Sequence, residues 1–174
     1  MMSKFTVQAL IERMKALPSV FGGGIIAGGY VRDTALGMPV KDIDVFVGRG
    51  TRPSREMLEG TGFKRVRDAE YGRSDYIWSV YRDDTTYEFP VEVIFTSIDA
   101  RKFVVDCFDW NICKCWYDFT TDETVYTDKF MADADMQRCT LEYNAGRHVA
   151  YSVLEHGHRL VDKLGWPMRL KYVD

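Results

Sequence analysis

The run Lys41-Asp42-Ile43-Asp44-Val45-Phe46-Val47 limits what this chain can fold into more than any other stretch. Side chains alternate across a β-strand, so Asp42 and Asp44 fall on one face while Ile43 and Val45 fall on the other. Two carboxylates side by side repel unless a cation lies between them. Hard oxygen ligands of this kind suit Mg²⁺, which takes one or two carboxylates together with substrate phosphates. Just upstream, Gly28-Gly29 separates a short apolar run, Ile25-Ile26-Ala27, from a helical pattern. A paired glycine entering a helix lets backbone N–H groups approach an anion closely. An acidic strand and an anion-receiving turn, within about one supersecondary unit of each other, imply phosphoryl or nucleotidyl transfer.

Around that unit, apolar spacing predicts helices over 7–17, 30–36, 54–59, 97–105, 128–138 and 147–164. Strands are predicted over 25–27, 41–47, 63–67, 76–81, 87–95 and 111–117. Gly165 is the expected C-cap of the last helix. The class is α+β: one domain over residues 1–174, with a mixed β-sheet, helices packed on one side and a helical C-terminal tail. The catalytic head is expected over about 22–118, and the C-terminal helices over about 128–165. A hydrophobic content of 46% is enough for an ordinary core, and Trp78, Tyr81, Tyr87, Trp110 and Trp116 are read as core before they are read as stacking surfaces.

A net charge of −3 argues against a general polyanion binder. The densest basic stretch, Arg52, Arg55, Lys64, Arg65 and Arg67, is read as a solvated face. No run is long enough to cross a bilayer. Met1-Met2-Ser3-Lys4-Phe5 lacks the layout of a signal peptide, so a cytoplasmic location is expected. Cys107, Cys113, Cys115 and Cys139 then read as reduced thiols, with no fourth ligand at a zinc spacing.

Glu92 is the candidate third carboxylate. It stands in Val91-Glu92-Val93-Ile94-Phe95, an otherwise apolar run where a charge is costly unless paired or metal-bound. The alternative is an edge-strand glutamate facing water. Near the C-terminus, Arg147, His148, His156, His158 and Arg159 form a basic helix. Arg159 can share a face with His156, as a nucleotide or acceptor contact or as plain exposed charge. His156 and His158 point different ways.

Gly28-Gly29-Tyr30-Val31-Arg32-Asp33, then Leu36-Gly37 and Pro39, then Asp42-Ile43-Asp44, resembles the head signature of the polymerase-β-type nucleotidyltransferases. The branch it is most similar to holds the tRNA CCA-adding enzymes and bacterial poly(A) polymerases. Glu92-Val93 resembles that family's strand carrying the third carboxylate. The stretch from Asp109 to Asp118 is similar to the strand that follows, with Cys107 and Phe108 in place of paired arginines and Cys113 at an asparagine. The same stretch also resembles short nucleotidyltransferase-like proteins of phages and large DNA viruses, which implies a host cytoplasm. The family's Glu-Asp-any-any-Arg base-selection element, and its neck, body and tail, are not recognised here.

The resemblance implies a nucleotidyltransferase head fold. It also implies transfer of a nucleoside monophosphate from a nucleoside triphosphate, ATP or CTP, to an acceptor hydroxyl. Asp42, Asp44 and Glu92 would be the catalytic carboxylates and would hold two Mg²⁺ ions. Gly28, Gly29, Arg32, Asp33, Lys41 and Asp109 would bind the nucleotide. Arg32 has two open roles, as a phosphate donor or as a brace paired with Asp33 or another acid. The expected acceptor is an RNA 3′ end, tRNA-like. A protein or small-molecule hydroxyl is the alternative, and a non-catalytic nucleotide-binding module a third reading.

Overall fold

A computed structural model of the chain describes residues 4–48, 55–66, 76–143 and 149–173. Its centre is a mixed seven-stranded sheet. In chain order the strands are β1 (Ile25–Ala27), β2 (Ile43–Val47), β3 (Lys64–Val66), β4 (Ile77–Asp83), β5 (Val91–Thr96), β6 (Cys115–Asp118) and β7 (Glu123–Tyr126). Across the sheet they run β3-β4-β5-β2-β1-β6-β7. Only β2 and β5 are parallel, and every other neighbouring pair is antiparallel. All of β5 is buried, as a near-continuous apolar run with both faces covered should be.

The alternation expected for β2 sets the layers. Ile43, Val45 and Val47 pack with Val91, Val93, Phe95 and Ile26 on one face. Helices α1 (Val7–Ala16), α2 (Pro18–Phe21) and α3 (Gly29–Ala35) cover that face, with α1 burying Val7, Leu10 and Met14. The Ala9 N–H donates to the Thr6 hydroxyl at 3.3 Å, which caps α1. Helix α4 spans Arg55–Glu59. On the opposite face lie Ile25, Ala27, Phe46 and Ile94, and α5 (Ala100–Cys107) presses Ala100, Phe103 and Val104 onto them. Helices therefore flank both faces, where the sequence reading placed them on one. The reason lies in β2 and β5 themselves. Beyond the acidic residues, Phe46 and Ile94 share the carboxylate face and must be kept from water.

Two other expectations are corrected. Residues 111–117 are not a continuous strand: Asn111–Cys113 form a 3₁₀ turn and β6 starts only at Cys115. Trp110 to Cys115 are all buried in succession, so this stretch lacks a solvent face for a strand's alternation to follow. The C-terminal part is not purely helical either. Helix α6 (Asp128–Asp135) is followed by β8 (Cys139–Tyr143), α7 (Tyr151–Leu164) and β9 (Met168–Tyr172). Strands β8 and β9 pair in parallel, with α7 as the crossover between them. Buried Asp133 anchors this unit, accepting from the Thr140 N–H at 2.7 Å and the Thr140 hydroxyl at 2.6 Å. Gly165 caps α7 in the left-handed conformation, as expected.

Helix α7 lies against Trp110, which is fully buried. The indole N–H donates to the Val153 carbonyl at 3.0 Å. Tyr81, Tyr87 and Trp116 are also buried, in keeping with their reading as core. Lys64 and Arg65 stand exposed on β3. Arg52, Arg67, Arg147 and His148, together with the Arg55 side chain, lie outside the described residues. Among the described residues no helix is long and apolar enough to cross a membrane.

Candidate active site

Strand pairing aligns Arg82, Glu92, Asp44 and Ala27 in one row across β4, β5, β2 and β1. Asp42 and Asp44 both line a cleft of about 490 Å³ beside this row. Burial raises the Asp44 carboxyl to a pKa of about 7, and the negative charges of Asp42 and Glu92 add to the shift; Lys41 and Arg82 partly offset it. Glu92 is buried and accepts from the Arg82 guanidinium at 3.1 Å. It does not line the cleft. Lys41 is exposed, 3.8 Å from the Asp42 carboxylate.

Gly28 and Gly29 form the next edge of the cleft. Gly28 has φ +70° and ψ −121°, a conformation glycine alone adopts without strain. A Cβ there would also lie 3.1 Å from the Phe108 ring. Gly28→Ala is therefore expected to destabilise the protein by about 1–3 kcal/mol, read as a lower urea midpoint; an unchanged midpoint would mean that the turn relaxes freely. Gly29 sits at a seam, since a Cβ there would be 3.9 Å from both Arg32 Nη2 and Asp42 Oδ1.

Arg32 is buried and braced. Its Nε and Nη2 donate to Asp33 Oδ1 at 2.8 and 2.7 Å, and its Nη1 donates to Cys113 Sγ at 3.2 Å. Asp33 also accepts from Lys163 on α7. Of its two open roles, then, the brace to Asp33 is the one the geometry displays. Asp109 lies exposed at the cleft.

Helix α7 contributes His156, Arg159, Leu160 and Lys163 to the same cleft. Their spacing of three, four and seven residues puts them on one helix face. Burial, then the charges of Arg159 and Arg32, push His156 down to a pKa of about 4, so its imidazole is neutral at pH 7. His158 is exposed and turned away. Leu160 and Lys163 were missed from sequence, although Lys163 lies seven residues after His156. Phe46, Ile94 and Phe108 give the cleft an apolar lining that no short motif announced.

Oxygen ligands that repel one another, one with its proton held up to about pH 7, have the chemistry of a divalent-cation site. Among the described residues, no group of three or more His, Cys, Asp or Glu stands arranged to hold a metal. Asp42 and Asp44 are the two of the three carboxylates that line the cleft, and Glu92 is engaged with Arg82.

A mixed sheet with this order, with Asp44 on its central strand and Asp42 just before it, is a fold shared with CCA-adding enzymes. The chain is similar to a solved tRNA-processing enzyme in its apo form, with a TM-score of 0.61 at 14% identity, over 93% of this chain and 43% of that one. A CCA-adding enzyme in complex with ATP matches at a TM-score of 0.60 and 13% identity, over 94% of this chain and 39% of the other. A Thermotoga maritima CCA-adding enzyme complexed with tRNA matches at 0.52 and 15%, over 78% of this chain and 32% of that one. At these identities the likeness is one of fold, and the chain spans less than half the length of each of these enzymes. The chain belongs to the Gabija anti-defense 2 family, whose profile matches residues 1–137. No curated protein matches it in sequence.

Proposed function

We propose that the chain is a Mg²⁺-dependent nucleotidyltransferase that moves a nucleoside monophosphate from a nucleoside triphosphate to an acceptor hydroxyl. The observation that carries this reading is the Asp42–Asp44 pair lining a cleft whose edges are Gly28-Gly29 and the basic face of α7. Asp42 and Asp44 would hold the metal, and Glu92, beside Asp44 in register, would join them on releasing Arg82. Mg²⁺ bound there would supply Lewis-acid activation of the acceptor hydroxyl and stabilise the oxygen that leaves the attacked phosphorus. Gly28 and Gly29 keep the backbone open to the phosphates. Arg32, fixed by Asp33 and Cys113, ties α3 to the Asn111–Cys113 turn.

The Gly-Gly-any-Val-Arg-Asp signature favours an RNA 3′ end as acceptor. The family's anti-defense designation favours a second reading, a hydroxyl on a component of the defence that the family opposes. Both are tested by incubating the protein with Mg²⁺ and each labelled triphosphate, with RNA and with a lysate, followed by RNase or protease. Loss of several kcal/mol of Lewis-acid stabilisation corresponds to about a thousandfold in rate. Asp42→Ala/Asp44→Ala is expected to lose at least that much pyrophosphate release. Release that survives the double substitution would overturn the metal assignment, and label that resists RNase but yields to protease would select the second acceptor.

A further inference from the structure

The cleft has two electrostatic ends. Around Asp44 the neighbouring charges are Asp42, Glu92, Lys41 and Arg82. Around His156 they are Arg159 and Arg32, both positive. Arg32 and Lys163 share the carboxylate of Asp33, and Asp109, whose charge acts on the Cys113 thiol that Arg32 touches, is the second acid at this end, so these two cations and two carboxylates balance. Arg159 supplies the surplus positive charge: among the described residues its guanidinium makes no hydrogen bond or ion pair, yet it lines the cleft. Gly29, with no side chain, marks the seam between the two ends.

We propose that the α7 end of the cleft is a phosphate subsite, with Arg159 as its principal ligand, which takes the polyphosphate of a nucleoside triphosphate without help from a metal. The placement rests on the nucleotidyltransferase reading of the same cleft. A guanidinium offers several donors in a fixed fork that matches phosphate oxygens. Uncompensated positive charge gathered at one end of a cleft attracts an anion, and a neutral nucleobase would not need it. The local field is already legible in His156, whose protonation is opposed by the two arginines as well as by burial. A neutral imidazole there adds one N–H donor without repelling Arg159. The arrangement sets the polyphosphate beyond Gly28-Gly29 on the side away from Asp42 and Asp44. The phosphorus under attack would then lie near the acidic pair and the leaving pyrophosphate near α7.

The test needs no catalysis. Binding of inorganic tripolyphosphate to the full chain is measured by calorimetry in EDTA, beside adenosine and a 5′-phosphorylated oligonucleotide. Wild-type protein is expected to bind tripolyphosphate. Arg159→Ala should weaken it by about tenfold to a hundredfold, the worth of a charge-assisted hydrogen bond, and Arg159→Lys should recover part of the loss. Asp42→Ala/Asp44→Ala should bind at least as tightly as wild type, since it removes two negative charges from the cleft. Arg159 is exposed, so its variants should keep the wild-type melting temperature. Equal tripolyphosphate affinity in wild type and Arg159→Ala, or no binding by wild type, overturns the proposal. So does loss of adenosine binding with tripolyphosphate binding intact, which would make Arg159 a base contact. An Arg159 effect confined to the oligonucleotide assigns the phosphate to the acceptor and overturns the placement of the donor. Failure of the catalytic reading shows up separately, as pyrophosphate release that survives loss of the acidic pair.

Discussion

Gly157→Ala is expected to lower thermal stability by about 2–3 kcal/mol, in the range of core overpacking, and hence to lower the melting temperature by roughly 5–10 °C. In an ordinary helix the same change would stabilise by about 1 kcal/mol. Here a Cβ would stand 2.2 Å from Trp110 Cζ2 and 2.6 Å from Cη2. The indole cannot yield easily: it is fully buried and tied through its N–H to the Val153 carbonyl of the same helix. The helix would have to lift, and with it Leu160 and the Lys163 link to Asp33. Scanning calorimetry checks the expectation, and an unchanged or raised melting point would refute it. Trp110→Phe removes the ring that the new methyl meets, so the double variant should be less destabilised than the sum of the two single changes.

Asp44→Asn should act in the opposite direction on stability. The folded-state pKa of Asp44 is raised from 3.8 to about 7, first by burial and then by Asp42 and Glu92. A raised acid pKa means that the folded state holds the proton more tightly than the unfolded chain. The penalty is small at pH 4, grows as pH rises through the interval, and is complete above pH 7. At about 1.4 kcal/mol per unit, with a discount for the side chain's opening onto the cleft, it comes to about 2–4 kcal/mol. In EDTA at pH 8 the asparagine variant should be more stable than wild type by that amount, with the gap closing towards pH 4. Added Mg²⁺ should stabilise wild type and leave the variant nearly unchanged. Denaturation midpoints across this pH range decide the matter: a variant no more stable than wild type at pH 8 would show that Asp44 is not strained by its neighbours.

The acidic half of the cleft was legible in sequence because its residues are close neighbours in the chain. Period-two alternation predicted Ile43 and Val45 inward and the two aspartates on the other face; β2 realises it for Ile43, Asp44 and Val45, while Asp42 precedes the strand and lines the same cleft. The α+β class followed from the same periodicities. The second helical layer did not, because whether Phe46 and Ile94 are covered depends on where α5 lands. The C-terminal half was hidden for a related reason. Strands β8 and β9 are short and pair with each other across α7, apart from the seven-stranded sheet, so neither shows the strand spacing of a longer sheet. Lys163 reaches the site through Asp33, 130 residues away, and no local pattern signals such a contact. The engagement of Glu92 by Arg82 depends on antiparallel register between β4 and β5, which composition does not set.

Because α7 is the crossover of a parallel pair, it is held at both ends: β8 precedes it and β9 must dock beside β8 after it. Its link to the rest of the site, Lys163 to Asp33, spans 130 residues, more chain than any strand pair of the sheet closes, and contacts that close longer loops form later. The order of assembly follows from topology. The sheet and its acidic strand can be complete while the basic wall is still unbuilt. On the nucleotide-binding reading, the wall that would receive the phosphates is thus the last part to assemble.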